Sequence, residues 1–297
     1  MIRRIAPYVA AIMAAAALVV TAQSPAGAAP VRTNSKSEAV YFIHGSDVMH
    51  TKVGGAGDNC KSTWNTAMSS LRSRGWTGEF TTWGYYKNDT NCTRKVDGNL
   101  NTRIQELGRL LAWDIYTHYS SSGKSVDVVA HSMGGLVIRA AITGTRRYGG
   151  KADHTWPPYL YVEDVATLST PFSGNQLATA CTVAYGWKQC SDMRPGSGFL
   201  SWAGQNPQSN QGTDWTLIGA SDDGTVSSGA AIGMNATHKA IYAAGQGLKH
   251  SKLPHAGAGG TWKLKYSNNN GSSWTSTSAG PGPLKLVGNA LYYWSAS

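Results

Sequence analysis

Ser132 stands where this sequence most readily builds chemistry. Before it runs Val126-Asp127-Val128-Val129-Ala130-His131, which reads as a buried strand. After it come Met133-Gly134-Gly135 and a helix-forming run from Leu136 to Ala141. A strand that turns sharply into a helix, with serine at the apex, presents the hydroxyl as a nucleophile. Neighbouring backbone crowds such a turn, so small residues are needed two before and two after the serine. Ala130 and Gly134 meet that need. A serine hydroxyl is a weak nucleophile at neutral pH. It requires a histidine base within hydrogen-bond reach and a carboxylate to orient that base. The chemistry implied is acyl transfer through a covalent acyl-enzyme.

Where serine sits on such a turn, its partners follow in the order acid, then histidine. In an open parallel sheet they also emerge at the carboxyl ends of strands. Glu163 and Asp164 begin a strand, Asp214 precedes one, and Asp192 has no strand before it. Asp222 and Asp223 directly follow the run Trp215 to Gly219 and remain as candidate acids. His238, His250 and His255 remain as candidate bases. The tetrahedral intermediate needs two backbone N–H donors. Met133, next after the nucleophile, supplies one. Ser46, in the loop His44-Gly45-Ser46 after an early strand, supplies the other. His44 precedes the nucleophile and is read as a structural histidine.

The elements that must position these residues alternate in type. Glu38 to His44 reads as a strand, followed by a Gly-rich loop to Asn59 and a helix over Lys61–Arg74 carrying Trp64, Met68 and Leu71. Glu79–Trp83 is a second strand. Asn99–Tyr119 is the longest amphipathic helix, with Leu100, Ile104, Leu107, Leu111 and Ile115 on one face. The elbow strand and helix come next, then strands at Val162–Leu168 and Trp215–Gly219. His238 falls in a helical or irregular stretch, Asn235–Tyr242. This alternation predicts an α/β chain with a mostly parallel, doubly wound sheet flanked by helices. Residues 171–213, rich in Gly, Ser, Asn and Pro, read as an irregular excursion. Residues 256–282 read as a hairpin turning at Asn270-Gly271, and a closing helix holds Leu284, Val287, Leu291 and Trp294. Trp262, Tyr266 and Trp274 are read as packing the hairpin onto the body rather than as a binding ribbon.

His44-Gly45, the run Ala130-His131-Ser132-Met133-Gly134-Gly135, and Thr167-Leu168-Ser169-Thr170-Pro171 together resemble secreted bacterial lipases and esterases of the α/β-hydrolase superfamily. Ala130 replaces the glycine of the commoner pattern. The resemblance spans about residues 38–253 and leaves out the Cys60–Cys92 region and the C-terminal hairpin. It implies hydrolysis of carboxylic esters without a cofactor. Asp223, in an Asp-x-x-Val setting, resembles the acid loop of such enzymes, and His250 resembles their His-Ser-x-Leu context. Ser132, Asp223 and His250 are therefore the expected triad, with Asp222, His238 and His255 as alternatives. The aromatics of Trp83-Gly84-Tyr85-Tyr86 lie at a strand's carboxyl end, where they could wall an acyl pocket.

The remaining features set the compartment. Arg3 and Arg4, the apolar run Val9–Val20 and Ala26-Gly27-Ala28 form an export signal, residues 1–28, cleaved after Ala28. The mature domain is then 29–297. Lys and Arg number 26 against 16 Asp and Glu, a net charge of +10. The cations are scattered, which argues against a nucleic-acid partner. No later segment is apolar enough to span a membrane, and a monomer acting on a lipid or polyester ester is expected. Four cysteines in an exported chain imply two disulfides, and the local pairing, Cys60–Cys92 with Cys181–Cys190, avoids crossing the core. No Cys/His spacing suits zinc. An extracellular polyester depolymerase would use the same triad. A non-catalytic binding protein on this scaffold would lack a triad member, whereas every role here has a candidate.

Overall fold

The computed structural model describes residues 28–47, 57–153, 155–257 and 259–293. Most of the expected export signal, and Trp294 of the closing helix, lie outside them. The strands are β1 (Ala39–Ile43), β2 (Phe80–Gly84), β3 (Arg94–Lys95), β4 (Val126–His131), β5 (Val162–Leu168), β6 (Asp214–Ala220), β7 (His238–Tyr242), β8 (Trp262–Ser267) and β9 (Thr275–Gly280). They form one sheet in the order β3-β2-β1-β4-β5-β6-β7-β8-β9. Pairings through β7 are parallel, and those of β8 and β9 are antiparallel. The expected mostly parallel sheet is the one observed.

Both faces of the sheet are buried because side chains alternate along each strand. Tyr41 and Ile43 point into one cluster, with α2 (Ile104–His118) and α3 (Met133–Tyr148). Val40 and Phe42 point into the other, with α1 (Cys60–Ser73) and α8 (Pro283–Tyr293). Disulfides join Cys60 to Cys92 and Cys181 to Cys190. Among the described residues no helix is long and apolar enough to cross a membrane.

Three local readings change. The helix expected over Asn99–Tyr119 begins at Ile104, because the Asp192 carboxylate accepts the Ile104 N–H at 3.0 Å and starts the helix there, and at 15 residues it is one shorter than α3. The stretch 171–213 is not irregular throughout. It folds α4 (Gln176–Tyr185), α5 (Lys188–Met193) and α6 (Gly198–Trp202), with Asn175 and Ser197 capping α4 and α6. Asn235–Tyr242 ends in strand β7, in which His238 and Lys239 are buried despite their polarity. The expected hairpin is present as β8 and β9. β8 pairs with β7 and extends the sheet, so Trp262 and Tyr266 pack against the second cluster. Trp274 packs beneath the Lys265 ammonium, 5.0 Å from its ring centre. The turn holds Asn270 and Gly271 in left-handed conformations (φ 58° and 84°), within a loop longer than the two residues themselves.

Candidate active site

Strand register brings the site together. Ile43 lies beside Ala130, His131 beside Leu168, Leu168 beside Ile218 and Ala220 beside Tyr242. The segments after these strands, beginning at His44, Ser132, Ser169, Ser221 and Ala243, therefore leave the sheet along one carboxyl edge. Ser132 sits at φ 53°, ψ −129°, a strained conformation for a residue with a Cβ. Its N–H donates to the Leu168 carbonyl at 2.9 Å, which pins the turn to the neighbouring strand.

The Ser132 hydroxyl lies 2.9 Å from His250 Nε2, and His250 Nδ1 lies 2.8 Å from Asp223 Oδ2. His250 opens a short 3-10 turn, His250–His255. The Asp223 side chain is fully buried, while that of His250 is 19% exposed. Burial alone would raise the Asp223 pKa. Hydrogen bonds from His250 and the Val226 N–H outweigh it and hold the carboxyl below its ordinary value. Thr225 and Val226 donate their N–H groups to Asp223 Oδ1 at 2.8 and 2.9 Å. The carboxylate is thus ionised and fixed, with one oxygen left to orient the imidazole.

The other expected candidates lie elsewhere. Asp222 accepts the N–H groups of Gly245, Gln246 and Gly247 at 2.7–2.8 Å, which makes it the anchor of a surface turn. His238 pairs with Asp214 at 3.1 Å, on the opposite edge of the sheet. His255 is exposed on the rim of the cleft. Trp83, Tyr85 and Tyr86 are fully buried and do not line the cleft, so they wall no acyl pocket there. Tyr85 instead stacks on His44, and Tyr86 donates to Gln189 of α5 at 2.6 Å.

Met133 opens α3, whose first N–H groups have no partner within the helix. Ser46 lines the same cleft of about 290 Å³ as Ser132 and His250. A Cβ placed on Gly45 would fall 2.9 Å from the Ser132 Cβ, so this loop lies directly against Ser132. No group of His, Cys, Asp and Glu among the described residues is arranged to hold a metal ion.

Three contributors carried no sequence signal that was read. His131 donates from Nε2 to the His250 carbonyl at 3.0 Å. Burial, aided by the charge of His250, pushes its pKa down to about 3, so it stays neutral and steadies the backbone of His250. Ser169, at φ 50°, leaves β5 with its N–H donated to the Ile218 carbonyl at 2.8 Å. Asp89 pairs with His44 at 2.9 Å. Ser169 and Asp89 follow the carboxyl ends of β5 and β2, and His131 directly precedes Ser132, so position in the chain was the available signal for each.

Residues 34–185 match the family described as the PGAP1-like alpha/beta domain. No curated protein matches the sequence. Among solved structures, the mature form of the lipase BlEst2 from Bacillus licheniformis is 20% identical. The match covers 69% of this chain and 83% of that one, with a TM-score of 0.43. The propeptide form is 19% identical over 68% of this chain, which spans only 45% of that longer chain, with a TM-score of 0.43. A lipase-esterase related protein from Clostridium acetobutylicum is 12% identical, covering 75% of this chain and 92% of its own, with a TM-score of 0.43. The matched residues contain β1 through β5, the turn at Ser132 and the loop that faces it, and the chain belongs to the PGAP1-like alpha/beta domain family.

Proposed function

We propose that this protein is an exported serine hydrolase of carboxylic esters. The observation that carries the reading is the continuous hydrogen-bonded line from Ser132 Oγ through His250 to the buried Asp223 carboxylate. His250 Nε2 takes the hydroxyl proton as Ser132 attacks the ester carbonyl. Asp223 holds the Nδ1 proton and stabilises the imidazolium. The N–H groups of Met133 and Ser46 receive the oxyanion. His250 then protonates the departing alcohol, and water repeats the sequence to release the acid. No cofactor takes part.

The walls of the cleft bear on the substrate. Asp47, Asp58, Thr63 and His255 line it, and Pro254 is the one apolar side chain among the described lining residues. Such walls favour a short or hydroxylated acyl group over a long alkyl chain, whose burial needs apolar surface. Export is supported by the two disulfides, which persist in oxidising compartments.

The test is hydrolysis of p-nitrophenyl esters from acetate to palmitate, with Ser132→Ala as control. Activity that falls with chain length and vanishes in Ser132→Ala is expected. Activity that survives the substitution refutes the nucleophile, and a preference for palmitate refutes the substrate class.

A further inference from the structure

We propose that Tyr85 is a positioning residue of the oxyanion hole, acting through the Gly45 carbonyl. The inference rests on the hydrolase reading above.

Tyr85 is fully buried at the carboxyl edge, just after β2. Its ring stacks on the His44 imidazole, with centroids 4.2 Å apart and planes at 11°. Its hydroxyl lies 2.5 Å from the Gly45 carbonyl oxygen and 2.8 Å from that of His44, so one proton serves both. The Gly45 oxygen has a second donor, His44 Nδ1, at 2.8 Å.

Both nitrogens of His44 face acceptors, Gly45 O and Asp89 Oδ2, so the ring carries both protons. Asp89 is fixed in turn by the N–H groups of Tyr85, Tyr86 and Asp58 at 2.7–2.8 Å. Burial disfavours the imidazolium, but the Asp89 carboxylate outweighs burial and holds the His44 pKa above its ordinary value.

Peptide geometry turns this clamp into aim. No peptide bond among the described residues is cis, so the carbonyl of the Gly45–Ser46 unit and its N–H point in opposite directions. With the carbonyl drawn toward Tyr85 and His44, the Ser46 N–H is directed away from them. The nucleophile lies against this loop, and Ser46 borders its cleft. A peptide that follows glycine rotates with little steric resistance. Two donors on one oxygen hold it in the orientation that catalysis requires.

The test compares Tyr85→Phe with the wild type, using p-nitrophenyl acetate and a phenylboronic acid that forms a tetrahedral adduct with the serine. Tyr242→Phe is the control, because it loses a buried hydroxyl bonded to Pro281 O at 2.8 Å, away from the cleft. Tyr85→Phe is expected to lower kcat on the order of tenfold or more, with KM changed less than about twofold. Boronate affinity should fall in step with kcat/KM. Tyr242→Phe should change neither. A folded Tyr85→Phe with wild-type kcat and boronate affinity overturns the proposal. So does a KM rise of the same size, with the ratio of boronate to ester affinity unchanged. Should Tyr85→Phe fail to fold, His44→Gln, which removes the second donor to the same oxygen, is judged by the same criteria. A wild type that hydrolyses no ester overturns the hydrolase reading and this inference with it; an active wild type matched by Tyr85→Phe overturns this inference alone.

Discussion

Gly134→Ala isolates the contact between the nucleophile turn and the loop that faces it. A Cβ at this position would lie 2.4 Å from the Ile43 carbonyl oxygen and 2.5 Å from that of His44. Both are backbone atoms, so no side chain can rotate aside. Restoring even a 3.0 Å contact requires the start of α3 and the His44 loop to separate by about 0.6 Å. Overpacking of this kind costs roughly 1–3 kcal/mol. The same displacement carries the Ser46 N–H out of range of an oxyanion whose hydrogen bonds are optimal near ~2.9 Å, and losing one such donor lowers kcat on the order of a hundredfold. Gly229→Ala is the matched control, because its Cβ would meet nothing within 4 Å. The assay is kcat and KM on p-nitrophenyl acetate beside a thermal melt. Gly134→Ala should lower kcat far more than stability alone explains, while Gly229→Ala should retain both. A Gly134→Ala variant with wild-type kcat would show that the two segments move apart without cost, and the geometric reasoning would fail.

Three further outcomes follow from named contacts. Asp223→Asn should lower kcat by roughly 10³–10⁴-fold, as the imidazole loses its tautomer and orientation, while Asp222→Asn, which disturbs only the turn at residues 245–247, should leave kcat within about threefold; parallel assays of the two variants decide it. Paired Cys→Ser substitution at Cys60 and Cys92, a bridge of sequence separation 32, should cost roughly 3–4 kcal/mol, against roughly 2–3 for Cys181 and Cys190 at separation 9; denaturant midpoints measure the order, and a reversed order refutes the loop-closure argument. Burial, with Glu38 nearby, pushes the Glu163 carboxyl up to about 7, so its contribution is complete below about pH 4.5 and is lost as pH rises through 7, a swing of up to about 3 kcal/mol. The protein should therefore melt several degrees higher at pH 5.5 than at pH 8.5, and Glu163→Gln should reduce that difference, leaving the part that Asp127 and Asp164 carry.

The parts legible in the sequence were those where one requirement dominates. The elbow shows because a buried strand, a serine and small neighbours occur together. The α1, α3 and α8 helices show because apolar residues recur at helical spacing over a full face. β7 did not show, because His238-Lys239 interrupts its apolar run, and both are buried only through contacts with Asp214, Asn268 and the hairpin. The helices of 171–213 were hidden by short length and by caps that also read as loop residues. Asp89 and Tyr85 were hidden for a different reason. Their partners His44 and Gly45 lie about 40 residues earlier in the chain, and only the parallel pairing of β1 with β2 brings them together.

The two edges of the sheet treat buried carboxyls in opposite ways, and this accounts for where the chemistry sits. At the carboxyl edge, chain leaving each strand turns over on itself and offers backbone N–H groups. Asp89 accepts three of them and Asp223 two, in addition to their histidines. Both stay ionised despite burial, with pKa values below the ordinary range. At the amino edge Asp127 has one N–H contact, from Asp164 at 3.3 Å, and Asp164 leans on Arg32. There burial prevails, and the carboxyls of Asp127, Glu163 and Asp164 are all pushed up. A triad acid must remain an anion at neutral pH to hold its histidine. Burial supplies the low-dielectric setting that strengthens this bond, and donated N–H groups keep burial from neutralising the charge. Asp223 has both at the carboxyl edge, whereas at the amino edge Asp127, Glu163 and Asp164 have the burial without enough donors to offset it.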